Sequence, residues 1–128
     1  AVACDLHGHV AAATSTGGMT GKVPGRIGDT PMIGAGSWAD VNIAVSCTGR
    51  GEEFIRFATA RHVADRVALL GESVQQAADA ALAAMPEAAG GLIAVDGNGE
   101  IALPFTSAGM YRGSASASSA VEVGISPA

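Results

Sequence analysis

Apolar positions in this chain follow first a period of two and then a helical period. Ala1–Leu6 and His9–Ala13 read as strands joined at His7-Gly8, which predicts a hairpin. A glycine-rich stretch runs from Thr14 to about Pro31, and the short apolar run Met32–Gly36 contains a flexible Gly34-Ala35-Gly36. Val41–Cys47 is nearly all apolar or small, the pattern of a buried strand. A helix is predicted from Glu52 to Leu70: Phe54, Phe57, Val63, Val67 and Leu70 supply its buried side, and Gly71 ends it. Glu52 and Glu53 fall in its first turn, where acidic groups suit the helix dipole. Ser73-Val74-Gln75-Gln76 is a capping box that opens a second helix, with Val74, Ala78, Ala81, Leu82 and Met85 at helical spacing and Pro86 as the stop. Leu92–Val95 and Glu100–Pro104 flank the hairpin signal Asp96-Gly97-Asn98-Gly99. Thr106–Arg112 reads as a loop, Gly113–Ala120 as a mobile Ser/Ala-rich segment, and Val121–Ile125 as a last strand.

This order predicts an α+β fold, with the two helices covering one face of an antiparallel sheet. The other face is also apolar, and nothing left in the chain is expected to cover it. Composition strengthens that expectation. The 128 residues suit one domain or a piece of one. Only 15% are charged, against about 25% in an average soluble domain. So little polar surface implies extensive burial against another chain. No apolar run approaches the ~18 residues of a membrane span. The net charge is −5 and the basic residues are scattered, which argues against nucleic-acid binding. Cys4 and Cys47 are isolated, without a CxxC or a disulfide framework, and fit a reducing cytosol. The chain opens in a strand without Met or a signal sequence, so its start is expected to have been cut.

Several groups carry candidate chemistry. In the glycine-rich stretch, Arg26 and Asp29 lie three apart, where an Arg fork would take a carboxylate and an Asp an ammonium; the alternative is a solvated turn with a surface ion pair. Alternation puts Thr14 and Thr16 on one side, for strand-end hydrogen bonding or for a site. Thr48-Gly49-Arg50-Gly51 lies between a buried strand and a helix start. A hydroxyl and free amides there would stabilise developing negative charge, or form only an N-cap with a glycine bend. His7 and His9 form a weak metal pair, because no carboxylate or cysteine completes a set. A Cys47–His62 dyad has little support, since Cys47 is expected to pack and His62 to lie at the surface or a cap. Met110-Tyr111-Arg112 reads either as a pocket rim or as an exposed loop. Trp38 is expected at an edge or interface.

Taken together and in order, Ala11–Met19, Gly25–Pro31, Gly34–Gly36, Ser46–Glu52, Ala102–Phe105 and Gly109–Arg112 resemble the β-subunit of the plant-type (type III) L-asparaginases, or isoaspartyl peptidases, which are N-terminal-nucleophile hydrolases. The resemblance spans nearly the whole chain except the Ser/Ala-rich tail. It implies an αββα sandwich, an autocleaved precursor, and an α-subunit that joins this segment in an (αβ)₂ assembly in the cytoplasm. It implies no catalytic cofactor, and a structural sodium only in the α-subunit. By motif position, Thr16 resembles the threonine that contacts the nucleophile, and Thr48 with the Gly49 amide resembles the oxyanion hole. Arg26 and Asp29 resemble the grips on the substrate's α-carboxylate and α-ammonium, and Gly49 and Gly51 resemble backbone contacts to the same aspartyl group. Arg50 falls at a variable position and is given no role. The nucleophile of that family is a Thr followed by two residues and a strand like Ala1–Ala3, so it is expected just upstream of Ala1. Glycosylasparaginases and threonine aspartases share the core but match Met19–Arg26 and Met110–Arg112 less well. A non-catalytic amino-acid-binding or scaffold subunit is a reading of a different class, and an anion or nucleotide binder ranks last for want of a phosphate-loop Lys-Ser/Thr.

Overall fold

The computed structural model describes residues 1–126. Strands β1 (Val2–Cys4) and β2 (Val10–Ala12) form the expected hairpin, with Val2 opposite Ala12 and Cys4 opposite Val10. Asp5 closes its turn by accepting the His7 and His9 amides at 2.7 and 2.9 Å, and Gly8 takes φ 81° there.

A four-stranded antiparallel sheet follows, ordered β3 (Ser37–Ala39), β4 (Ile43–Gly49), β5 (Gly90–Asp96) and β6 (Ile101–Ala102). Strand β3 was not expected, because three residues are too few to show a period of two. Strand β4 lies two residues later than the predicted Val41–Cys47. Val41 is 89% exposed, in a turn where Asp40 Oδ1 accepts the amides of Asn42 and Ile43. The shift places Thr48 and Gly49 within the end of a strand rather than after it.

The single helix predicted over 52–70 is instead two, α1 (Gly51–Phe57) and α2 (Thr59–Leu70), broken at Ala58 with φ 46°. The break lets Phe54 enter the core and also turns Thr59, Ala60, Val63 and Ala64 inward. Thr59, fully buried, donates its hydroxyl to Met85 Sδ at 3.3 Å. Leu70, expected on the buried side, is exposed. Helix α3 (Val74–Ala83) begins at the predicted capping box: the Ser73 hydroxyl accepts the Gln76 amide at 3.2 Å, and Gln76 Oε1 accepts the Ser73 amide at 3.1 Å.

Alternation along the sheet separates two buried faces. Ile43, Val45 and Cys47 of β4 join Leu92, Ala94 and Ala102 against the helices. Burying each large side chain among them contributes about 1.5–3 kcal/mol. Ala44, Ser46 and Val95 point the other way and are also buried. The β1–β2 hairpin lies against β3, β4 and β5 on that side, and the Thr14 hydroxyl hydrogen-bonds the Ser46 hydroxyl at 2.8 Å. This corrects the expectation that nothing in the chain covers the second face. The order of layers is helices, sheet, hairpin.

The last elements are a two-stranded ribbon, β7 (Arg112–Ser114) and β8 (Glu122–Gly124). Part of the segment expected to be a mobile loop is therefore strand. Arg112 stacks 4.8 Å over the Phe105 ring, which anchors the ribbon to the body.

Candidate active site

The loop after β2, the end of β4 and the segment before β7 enclose a cleft of about 690 Å³. It opens at the end of the sheet where the chain enters, so Ala1 lines it together with Thr16, Arg26, Asp29, Thr48 and Gly49. Five of the residues singled out in the sequence are thus brought together. Gly51, the sixth, lies behind the wall and does not line the cleft. A Cβ there would sit 2.6 Å from Asp29 Oδ1 and 3.1 Å from Arg26 Nη2, so glycine is what lets α1 start against this pair. Met110 and Tyr111 form part of the rim.

Arg26 does not pair with Asp29. Its Nε and Nη2 donate to Glu52 Oε1 and Oε2, both at 2.8 Å, in a bidentate fork. The Arg26 side chain is 15% exposed and that of Glu52 53%. The guanidinium holds the Glu52 carboxyl down at about 2. Nη1 has no protein acceptor among the described residues. Sequence reasoning missed Glu52, which looked like a first-turn acid serving the helix dipole; no local signal ties it to an arginine on a distant loop.

Asp29 is buried, at 6% exposure, and its Oδ2 has no hydrogen-bond partner. Burial raises its carboxyl above the usual range, opposed in part by nearby backbone amides and the Arg26 charge. A Cβ on Gly36 would lie 2.5 Å from the Asp29 carbonyl oxygen, so a second glycine makes room for this residue. An orphaned buried carboxylate beside a guanidinium with a free edge suits a ligand that carries both an ammonium and a carboxylate.

Thr48 and Gly49 end β4. The Cys47 amide reaches Gly36 on the β3 side at 2.8 Å, and the Arg50 amide reaches Ala89 on the β5 side at 2.8 Å. Alternation therefore turns the Gly49 amide toward the β3 side. There, among the described residues, the pairing with β4 has already ended at Gly36. Gly49 has φ 143°, and a Cβ on it would meet the Ala89 carbonyl oxygen at 2.2 Å. On the opposite wall the Thr16 hydroxyl accepts the Gly18 amide at 2.9 Å.

The other candidates are not assembled here. The His7–His9 turn lies away from the cleft. Asp5, the carboxylate that sequence reasoning did not count there, pairs with His9 Nδ1 at 2.9 Å. No group of three metal-ligating side chains exists among the described residues. Cys47 and His62 share no hydrogen bond, and burial, with the Asp29 charge adding to it, pushes the Cys47 thiol up. Trp38 lies on the edge strand, donates Nε1 to Asp40 Oδ2 at 2.9 Å and stacks under Arg61 at 4.7 Å. Among the described residues no helix is long and apolar enough to cross a membrane.

A family model described as asparaginase matches residues 1–125. The chain belongs to the asparaginase family. Among its asparaginase-family relatives, it is 51% identical over 116 residues to an isoaspartyl peptidase of Escherichia coli (strain K12), an alignment covering 88% of this chain and 36% of that protein. It is 46% identical over 125 residues to a probable isoaspartyl peptidase/L-asparaginase 2 of Arabidopsis thaliana, covering 97% and 38%. With an isoaspartyl peptidase/L-asparaginase of Bos taurus it shares 46% over 114 residues, covering 86% and 37%. The chain thus spans little more than a third of the length of these relatives.

Proposed function

We propose that this chain is the β-subunit segment, residues 1–128, of an amidohydrolase that cleaves the side-chain amide of L-asparagine and β-aspartyl peptide bonds through an acyl-threonine intermediate. The observation that carries this reading is the register of the first hairpin. The Ala1 nitrogen donates to the Ala13 carbonyl at 2.7 Å and the Ala13 amide to the Ala1 carbonyl at 2.9 Å. If that pairing continued upstream, the third residue before Ala1 would fall opposite Thr16, which lines the cleft. That is the position at which the family resemblance expects the nucleophilic threonine.

The chemistry follows from the residues. The α-amine of an N-terminal threonine, with a pKa near 8, is a suitable base for its own hydroxyl. Arg26 holds the substrate's α-carboxylate and Asp29 its α-ammonium. Glu52 keeps the Arg26 fork oriented, and Gly51 gives both residues room. The threonine oxygen attacks the side-chain carbonyl as its proton passes to the amine. The oxyanion is met by the Thr48 hydroxyl and the Gly49 amide. Collapse returns the proton to the leaving nitrogen and expels ammonia or an amino acid. Water, activated by the same amine, then hydrolyses the ester to aspartate and restores the threonine. No cofactor takes part in these steps. An α-subunit from the same precursor would complete an αββα sandwich by extending the hairpin layer. Two such pairs would form a cytoplasmic (αβ)₂ enzyme.

Steady-state kinetics on the full-length protein test the reading. Thr48→Ala removes one oxyanion donor and is expected to lower kcat by about two to three orders of magnitude; a loss under tenfold would remove Thr48 from the oxyanion hole. Arg26→Ala is expected chiefly to raise KM for asparagine, and an unchanged KM would end the clamp assignment.

A further inference from the structure

A second cavity of about 340 Å³ adjoins the cleft. The two share Thr48, Gly49, Met110 and Tyr111, and the second does not reach Arg26 or Asp29. It extends past the oxyanion position on the side away from the clamp, where Arg50 and the Ala88–Gly90 segment line it. A substrate with its aspartyl group between Arg26 and Asp29, and its carbonyl at Thr48 and Gly49, therefore has this space available for the group beyond the scissile nitrogen.

The lining is chemically specific. Among the described residues Arg50 has no ion pair, and its Nη2 donates to the Glu87 carbonyl at 2.8 Å. A carbonyl orients the guanidinium without neutralising it, which leaves a net positive charge on the cavity wall. Ala88 holds φ 55°, an unfavourable conformation for a residue with a Cβ. It lies between Glu87, whose carbonyl takes the guanidinium, and Ala89, whose carbonyl takes the Arg50 amide at 2.8 Å. Tyr111, 86% exposed, offers a ring face on the rim.

We propose that this cavity is the leaving-group subsite for β-aspartyl dipeptides, with Arg50 pairing the free α-carboxylate of the departing amino acid and Tyr111 flanking its side chain. The proposal rests on the amidohydrolase reading above. It makes Arg50 a specificity-determining residue that asparagine, whose leaving group is ammonia, never meets.

The test compares Arg50→Gln and Arg50→Lys with the unaltered full-length enzyme on three substrates: asparagine, β-aspartyl-leucine, and β-aspartyl-leucine amide. Arg50→Gln is expected to raise KM for the free dipeptide about fivefold, the scale of one partly exposed ion pair. It should leave asparagine and the amidated dipeptide unchanged, and Arg50→Lys should restore part of the loss. If Arg50→Gln slows all three substrates alike, Arg50 only braces the Glu87 segment and the subsite is refuted. An unchanged KM for the free dipeptide refutes it too. An unaltered enzyme that cleaves none of the three would overturn the amidohydrolase reading itself, a distinct result.

Discussion

Asp29 is held by the fold at a cost. Its carboxyl is desolvated, Oδ2 has no partner, and its folded-state pKa lies above the 3.8 of the free group. A raised carboxyl pKa means that the folded chain takes up a proton before the unfolded chain does. The stabilisation linked to that proton is complete below pH 3.8 and disappears as pH rises through the folded-state value. At neutral pH the ionised Asp29 therefore weakens the fold. Asp29→Asn removes the charge and is expected to raise the melting temperature at pH 7, with the gain fading on acidification, while KM for asparagine rises steeply. Thermal melts across pH check it; a variant that melts lower than the parent at pH 7 would show that the charge is compensated. In the proposed clamp a bound ammonium would supply the missing partner, so the same residue would link ligand affinity to stability.

At the scale of elements, the α1–α2 break is the clearest case of tertiary structure overriding local preference. Alanine is the best helix former, yet Ala58 takes φ 46°. For a residue with a Cβ that conformation costs about 1–2 kcal/mol, and glycine adopts it freely at an unfolded-state entropy cost of about 0.5–1 kcal/mol. Ala58→Gly is therefore expected to stabilise the protein by about 0.5–1 kcal/mol, and Ala58→Val to destabilise it; denaturant midpoints for both variants measure this. Nothing in the sequence marks the break, which accompanies distant contacts: the Thr59 hydroxyl donates to Met85 Sδ, and the Ala60 and Arg61 amides donate to the Ala35 and Gly34 carbonyls. Helix α3 is the contrast: Ser73 and Gln76 satisfy each other within one turn, so its start was legible. The β1–β2 and β5–β6 hairpins were legible for the same reason, through local turn residues. Strand β3 and the placement of the hairpin over the second sheet face depend on distant pairings such as Thr14 with Ser46. In the candidate site, Thr16, Arg26, Asp29, Thr48 and Gly49 were visible because glycines, hydroxyls and charges stand out in a chain poor in charge. Glu52 was not, since its partner lies on a loop that only folding brings near.

At the scale of the whole molecule, the helices and the hairpin cover both faces of the sheet, but the hairpin layer is only two strands wide. Exposed Ile27, Val123 and Tyr111 remain outside the core. A wider second layer is what the proposed α-subunit would supply. Intact-mass and N-terminal analysis of the full-length protein after purification are expected to find two co-eluting fragments, the smaller starting with a threonine three residues before Ala1. A single uncleaved chain that still hydrolyses asparagine would contradict the proposed maturation.

The Arg26–Glu52 fork ties the glycine-rich loop to the start of α1, and its carboxylate half faces water. Dissolved ions reach such a pair, with a screening length of about 8 Å at physiological ionic strength and about 3 Å at 1 M. The proposed substrate asparagine is a zwitterion without net charge, so long-range attraction would contribute little to its capture. On the proposed reading, ionic strength would thus act on the binding loop more than on the encounter: brine is expected to loosen the arginine before it shields the substrate, and salinity would become a control on how well the loop is shaped for its ligand.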